Sequence, residues 1–234
     1  MGSSCIYPLL GCSTRPQWRF GGTDIDDKNL EYARRNVAQN NLTSRIRLLK
    51  TRKVSPLIPL DALKIHRADF TICNPPFFKS AEDMMATFTM KSRPPSAVCT
   101  GAEVEMVTDG GDAGFVLRMV EESKTLGDRV QWYTSMLGKL QSVNTIVVRL
   151  KELGINNWAV ACLKAGHKTR RWAVAWSFDD RRPRNVSDFA SYSWNSFPDL
   201  QASASHMSFE RHVRIRNGLC DSLQFMCLTR IALA

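Results

Sequence analysis

Nowhere in the 234 residues is there an apolar run approaching the roughly 20 residues that a membrane-spanning helix requires, which excludes an integral membrane protein of that kind. The seven cysteines form no CxxC pair and no Cys/His grouping at metal-ligand spacing, which argues against zinc or any other bound metal. Cys5, Cys73 and Cys162 stand in apolar stretches, as reduced and buried cysteines do, and so point to an intracellular, reducing compartment. No basic segment leads into a long apolar core, so no secretory signal is expected. The opening Met1-Gly2-Ser3-Ser4-Cys5-Ile6 carries Ile6 where myristoylation calls for Ser or Thr, which removes a lipid anchor from consideration.

What the chain does have is positive charge, 32 basic residues against 22 acidic ones for a net of +10. Such an excess favours polyanionic partners, because each Lys or Arg that meets a phosphate releases condensed counterions. The composition is otherwise that of a globular protein, 44% hydrophobic and 23% charged, and the length suits one domain with a small appendage.

Strand-like and helix-like segments alternate. A strand over 18–23 runs into the acidic Asp24-Ile25-Asp26-Asp27, and the spacing of Leu30, Ala33 and Val37 predicts an amphipathic helix over 28–39, capped by Asp26 or Asp27 and stopped by Asn40-Asn41. Strands are predicted over 45–50 and 68–73, the second ended by Pro75-Pro76. A polar, flexible stretch is expected from Lys79 to about Gly111. A helix resumes near Asp112, a strand follows over 129–137, then a helix over 143–153 stopped by Gly154. Segments 158–163 and 171–178 read as a hairpin, with Trp172, Val174, Trp176 and Phe178 on one face. Repeated strand-helix units predict an α/β fold with a mostly parallel sheet, helices on both faces and an antiparallel terminal hairpin. Residues 185–234 show no periodicity and read as a tail of uncertain structure, with a basic group at Arg211, Arg214 and Arg216.

The chemically informative motif is Asn74-Pro75-Pro76-Phe77, directly after a buried strand. Two prolines stiffen the turn, and that geometry can aim the Asn74 side-chain oxygen and the Pro75 carbonyl at one point. An exocyclic amino group donates two hydrogen bonds, so two convergent acceptors hold it. Accepting both protons favours a pyramidal nitrogen whose lone pair faces an electrophilic methyl group, and positioning of this kind is worth up to roughly 7–11 kcal/mol. Phe77 offers a face for a flipped base, worth about 1–3 kcal/mol. Asp24, ending an earlier strand, is placed to accept hydrogen bonds from both ribose hydroxyls of a nucleoside cofactor. Gly2-Ser3-Ser4 reads as part of a glycine-rich turn approaching that cofactor, and Asp61 as an acid able to meet its adenine. Each of these also has an ordinary structural reading, as a turn, a helix cap or a loop acid.

Several stretches together resemble the methyltransferase-like protein sixteen family. They are Ser4-Cys5-Ile6-Tyr7-Pro8-Leu9-Leu10-Gly11, the run from Thr23 to Asp27, Asn74 to Phe78, and Arg93-Pro94-Pro95-Ser96 with Thr100-Gly101. Trp132-Tyr133 with Met136-Leu137-Gly138-Lys139 and the run from Arg171 to Phe178 complete the match, in the same order over about residues 2–180. The family is similar to bacterial adenine N6-methyltransferases of large-subunit ribosomal RNA, and its eukaryotic members methylate U6 small nuclear RNA, some also structured hairpins of messenger RNA. The resemblance implies a Rossmann-like class I methyltransferase sheet, S-adenosyl-L-methionine as cofactor, structured RNA as partner, and residence in the nucleus, the cytoplasm or both. It implies that Gly2, Ser4, Asp24 and Asn74 line the cofactor pocket and that Asn74, Pro75, Pro76 and Phe77 grip the target adenine. It further implies RNA contact through the loop 79–101 and the basic run 168–171, with Lys79, Lys91, Arg93, Lys168, Arg170 and Arg171 as candidate residues.

Three features depart from the family. The Asp-Ile-Gly-Thr-Gly that precedes the equivalent of Ser3-Ser4 is not in this sequence, so a methyltransferase domain over 1–184 is expected to be N-terminally incomplete and to lack its first strand. That strand belongs in the middle of the sheet, so two open inner edges are expected. The family's cofactor-touching Thr falls near Leu57, and the segment after Arg184 matches nothing in the family. Two other readings stay open: an Asn-Pro-Pro-aromatic methyltransferase acting on DNA adenine, RNA guanine or protein glutamine, and an RNA-binding protein without catalysis.

Overall fold

The acidic run after the first strand does what its chemistry predicts. The Asp26 carboxylate accepts a hydrogen bond from Asn29 N at 2.8 Å and caps helix α2 (Asp27–Gln39), which buries Leu30, Ala33 and Val37 and ends where Asn41 turns to a φ of 56°. Before it come α1 (Ile6–Thr14) and β1 (Phe20–Asp24); after it β2 (Ile46–Lys50), β3 (Ala68–Ile72), α3 (Ala81–Thr89), α4 (Gly111–Leu126) and β4 (Val130–Leu137). Then follow α5 (Leu140–Glu152), β5 (Asn157–Ala165), β6 (Thr169–Ser177) and β7 (Leu228–Ile231). This computed structural model describes residues 1–89, 106–165, 169–181 and 228–231.

One seven-stranded sheet carries the fold, in the order β2-β1-β7-β3-β4-β6-β5. β1 pairs parallel with β2, and β3 parallel with β4; β7 is antiparallel to both β1 and β3, so those two run the same way. β6 pairs antiparallel with both β4 and β5, which confirms the terminal hairpin. The sheet is therefore mostly antiparallel rather than mostly parallel. The correction comes from β7: the hairpin was expected to be antiparallel, and the two further antiparallel ladders are those of β7, which lay in the stretch without periodicity.

The two open inner edges expected in the middle of the sheet are also not what the structure shows. β7 lies between β1 and β3, with Thr229 opposite Gly21 on one side and Thr71 on the other. The remainder of the 185–234 segment falls outside the described residues.

Successive residues of β1 face opposite sides. Phe20 packs with Cys5, Cys12, Ala33, Val37 and Ile46, whereas a side chain at Gly21 would run into Leu63 and Ile65 of the second cluster. The sheet thus has a core on each face. The smaller core is closed by α1 and α2; the larger joins α4, α5, β4 and β6 through Met119, Val120, Tyr133, Ile146, Leu150 and Trp176. A fully buried Leu, Ile or Met here is worth about 1.5–3 kcal/mol. Trp176 stacks on Tyr133 at 5.6 Å and donates its indole N–H to Ser123 Oγ at 2.9 Å, so a buried polar atom is satisfied inside an apolar layer.

Three further expectations are corrected. Residues 6–14, given no element in the sequence reading, form α1, whose Gly11 faces the Phe20 ring at a distance a Cβ could not share. Part of the stretch expected to be polar and flexible is the helix α3. Cys162 is exposed at the surface of β5, while Cys5, Cys12 and Cys73 are buried. Burial pushes the Cys5 thiol up to about 12, which keeps it protonated and inert.

Candidate functional site

β4 outruns β3, and the extra length fixes the turn that carries the motif. Thr134 N donates to Thr71 Oγ1 at 3.0 Å and Thr134 Oγ1 donates to the Thr71 carbonyl. One step on, Met136 N donates to the Cys73 carbonyl at 2.8 Å. Each of these bonds consumes a backbone or hydroxyl group of the strand end, leaving the chain from Asn74 onwards to be shaped by its prolines. Pro75 is buried, and Asn74, Pro76 and Phe77 are half-buried. Beyond them Phe78 is held through its own N–H to the Met106 carbonyl and by Thr108 N to its carbonyl, both at 2.9 Å.

Asn74 Oδ1 is buried and accepts no hydrogen bond among the described residues. An unpaired buried acceptor costs about 1–3 kcal/mol. It persists here because the chain is held on both sides of it, and a donor from outside the protein would satisfy it. Beside it, Phe77 has the Arg171 guanidinium over its ring, 5.3 Å from the centroid. Burial lowers the Arg171 pKa, and the nearby Asp112 carboxylate offsets part of that.

Asp24 ends β1, and Asn74 follows β3. Because both strands run the same way with β7 between them, the two side chains leave the same edge of the sheet, two strand spacings or about 10 Å apart. Asp24 is buried. Its Oδ2 accepts from Gly2 N at 2.7 Å and lies 3.2 Å from the N-terminal ammonium, and its Oδ1 accepts from Asp26 N at 3.0 Å. Burial by itself would raise this carboxyl. The ammonium and the two backbone N–H groups outweigh it and hold the group below its ordinary value. Gly2, at a φ of 71°, stands against Asp24 through this bond.

Other expected residues are not brought together. Ser4 is exposed, and its carbonyl accepts from Asn36 Nδ2 at 3.3 Å. Asp61 is exposed and pairs with Arg129 at 2.6 Å, just before β4 starts, which puts it at the opposite end of the sheet from Asp24 and Asn74. Leu57 gives its N–H to Glu122 Oε2 at 2.7 Å, so that position serves a clamp between the 51–67 loop and α4. Lys79 and Arg170 are exposed, and Arg171 stands over the motif. Lys91, Arg93 and Lys168 lie outside the described residues.

Two residues beside the motif were missed. Asp112 is buried, and its carboxylate accepts from Ala113 N at 2.8 Å, Gly138 N at 2.7 Å and Ser142 Oγ at 2.7 Å. Gly138 lies so close to Phe77 that a Cβ on it would stand 2.9 Å from the ring. The acid directly after Gly110-Gly111 was the available signal, but it reads equally well as a first-turn helix acid.

A family profile described as RNA methyltransferase matches residues 1–180. The chain belongs to that RNA methyltransferase family. Among curated relatives, the U6 small nuclear RNA (adenine-(43)-N(6))-methyltransferase of Schizosaccharomyces pombe is 44% identical over 184 residues, covering 79% of this chain and 46% of that protein. The human RNA N(6)-adenosine-methyltransferase METTL16 is 40% identical over 184 residues, covering 76% and 32%. This family member therefore spans less than half the length of either relative. Among solved structures, the human METTL16 catalytic domain in complex with a MAT2A 3′UTR hairpin superposes with a TM-score of 0.69 at 38% identity, covering 78% of this chain and 63% of that one. The N-terminal domain of human METTL16 in complex with SAH gives a TM-score of 0.58 at 35% identity, covering 76% and 59%. The α/β fold of the family's methyltransferase domain is thus shared.

Proposed function

We propose that this family member transfers a methyl group from S-adenosyl-L-methionine to the N6 nitrogen of an adenine in structured RNA, with U6 small nuclear RNA the leading candidate substrate. The observation that carries the reading is the buried Asn74 Oδ1 just after β3, beside Phe77, which accepts no hydrogen bond among the described residues. The relatives named for adenine N6-methylation and the SAH and hairpin complexes among the structural neighbours support it. The methyltransferase unit is taken to span residues 1–184, and the protein to work inside the cell, in the nucleus or the cytoplasm.

The residues present fit the cofactor where it matters. Asp24 is a buried carboxylate at the same sheet edge as Asn74, and its Oδ1 keeps a lone pair beyond the bond from Asp26 N for a ribose hydroxyl. Gly2 brings backbone against the same acid. When bound, the cofactor supplies the electrophilic methyl group. The protein's part is positioning. Asn74 Oδ1 and the Pro75 carbonyl accept the two protons of the target amine, while Phe77 stacks the base and thereby orients its nitrogen. No strong general base is required, because the methylated ammonium product loses its proton to water. Lys79, Arg170 and Arg171, with Lys91, Arg93 and Lys168, supply the positive charge for the phosphate backbone.

One observation favours a second reading, RNA binding without transfer: the Asp24 carboxylate is already engaged by Gly2 N and the N-terminal ammonium. Labelled methyl transfer to RNA, DNA and protein pools separates the possibilities. The proposed function requires incorporation into RNA adenine, and a fall of roughly 100- to 1,000-fold in kcat for Asn74→Ala with RNA affinity retained. Unchanged turnover in that variant, or incorporation only into DNA or protein, refutes it.

A further inference from the structure

Phe77 cannot hold a base in register unless something holds Phe77. Its ring leans on the backbone of Gly138, which follows β4, and a Cβ there would stand 2.9 Å from Phe77 Cδ1 and 3.3 Å from Cε1. Gly138 is in turn fixed by its N–H, which donates to Asp112 Oδ2 at 2.7 Å. The other oxygen of Asp112 accepts from Ala113 N and from Ser142 Oγ in α5. One buried carboxylate thereby ties the start of α4, the turn after β4 and the first turn of α5 together directly behind the aromatic ring.

Helix capping does not account for this arrangement. A first-turn acid that serves its own helix needs only its own backbone N–H groups and solvent. Asp112 is instead only 4% exposed and reaches Gly138 and Ser142, 26 and 30 residues away. Three hydrogen bonds to one buried anion make a rigid joint, and charge-assisted bonds of this kind are about twice as strong as neutral ones.

We propose that Asp112 is a positioning residue for base recognition: acting through Gly138, it sets the plane of the Phe77 ring and with it the attack angle of the bound adenine. The proposal rests on the methyl-transfer reading above. In Asp112→Asn, one of the oxygens facing Gly138 N or Ala113 N becomes an amide NH2, so at least one backbone donor loses its acceptor. Gly138→Ala leaves the carboxylate intact and moves the ring directly; Gly138 is not among the positive-φ glycines, so the backbone tolerates alanine. Ser142→Ala is the control, since it removes one hydrogen bond from Asp112 without touching the path to Phe77.

The test is steady-state kinetics on an RNA substrate together with the thermal midpoint of each variant of the full chain. Asp112→Asn and Gly138→Ala should lower kcat roughly 10- to 100-fold with KM for S-adenosyl-L-methionine changed by less than about twofold, the scale expected for an ångström-level misplacement. Ser142→Ala should lower the midpoint but leave kcat near that of the unsubstituted chain. Transfer by the unsubstituted chain, combined with equal losses in Asp112→Asn and Ser142→Ala or with no loss in Gly138→Ala, overturns the positioning role alone. Absence of transfer by the unsubstituted chain overturns this inference together with the functional reading.

Discussion

The residues that matter most are legible for different reasons. The reading of Asn74 came from two prolines that leave the turn little freedom, and its oxygen is buried and accepts no hydrogen bond among the described residues. Asp24 was readable because an acid closes an apolar strand, but its neighbours were not: nothing in the sequence says that Gly2 N and the chain's own ammonium meet it. Asp61 failed because the 51–67 loop returns across the sheet to the start of β4, a path no local pattern encodes. Asp24 also yields a prediction. Its carboxyl is depressed below the ordinary 3.8, so its contribution to stability is complete above that value and is lost as pH falls through the lower folded value. The stability difference between the parent chain and Asp24→Asn, measured by urea unfolding, should be constant from about pH 5 to 7 and shrink below about pH 4. At neutral pH the same variant should bind S-adenosyl-L-methionine roughly 10- to 100-fold more weakly by calorimetry, the scale of one or two bonds to a charged acceptor. An affinity equal to that of the parent would remove Asp24 from the cofactor site.

At the scale of elements, regular amphipathic patterns were read and irregular ones were not. α2 and α5 carry their apolar residues at helical spacing and the β5–β6 hairpin alternates bulky with small, so each was found within a few residues of its ends. α1 carries no clear apolar face, only Pro8 and Cys12 of it being buried; Pro8 lies in the opening turn, where its missing N–H costs nothing, and Gly11 makes room for Phe20. What joins elements is side chains reaching across long loops. Glu122 of α4 accepts from Leu57 N and Ile58 N, both at 2.7 Å, and pins a loop that has no regular structure to stabilise it. Glu122→Ala leaves both N–H groups without an acceptor and should cost about 1–3 kcal/mol in urea unfolding. An exposed charge of β6 behaves differently. Arg170→Ala should leave stability unchanged and flatten the dependence of log affinity for RNA on log salt by roughly 0.7–0.9, the share of one phosphate contact. A salt slope identical to the parent's would place Arg170 off the RNA path.

The whole molecule turns on a strand that no sequence pattern announced. β1 and β3 carry Asp24 and Asn74, and the relation between those residues depends on whatever lies between the two strands. That is β7, four residues long, about 200 positions after β1. Pairing at such separation leaves no local trace; Leu228-Thr229-Arg230-Ile231 differs little from the aperiodic stretch around it. Its energetic role is nonetheless specific. Thr229 stands opposite Gly21 and Thr71 at once, so whichever neighbour its N–H serves, Thr229→Pro removes a ladder bond in the centre of the sheet. The orphaned carbonyl costs about 1–3 kcal/mol, which for a domain of this size lowers the thermal midpoint by about 2–4 °C per kcal/mol. The larger effect should be functional: loosening the strand between Asp24 and Asn74 should weaken S-adenosyl-L-methionine binding and slow methyl transfer together, although residue 229 is itself part of neither. Thermal unfolding, calorimetry and methyl-transfer rates on this one variant check all three consequences. A variant with the parent's midpoint, affinity and rate would show that the two halves of the sheet keep their register without β7.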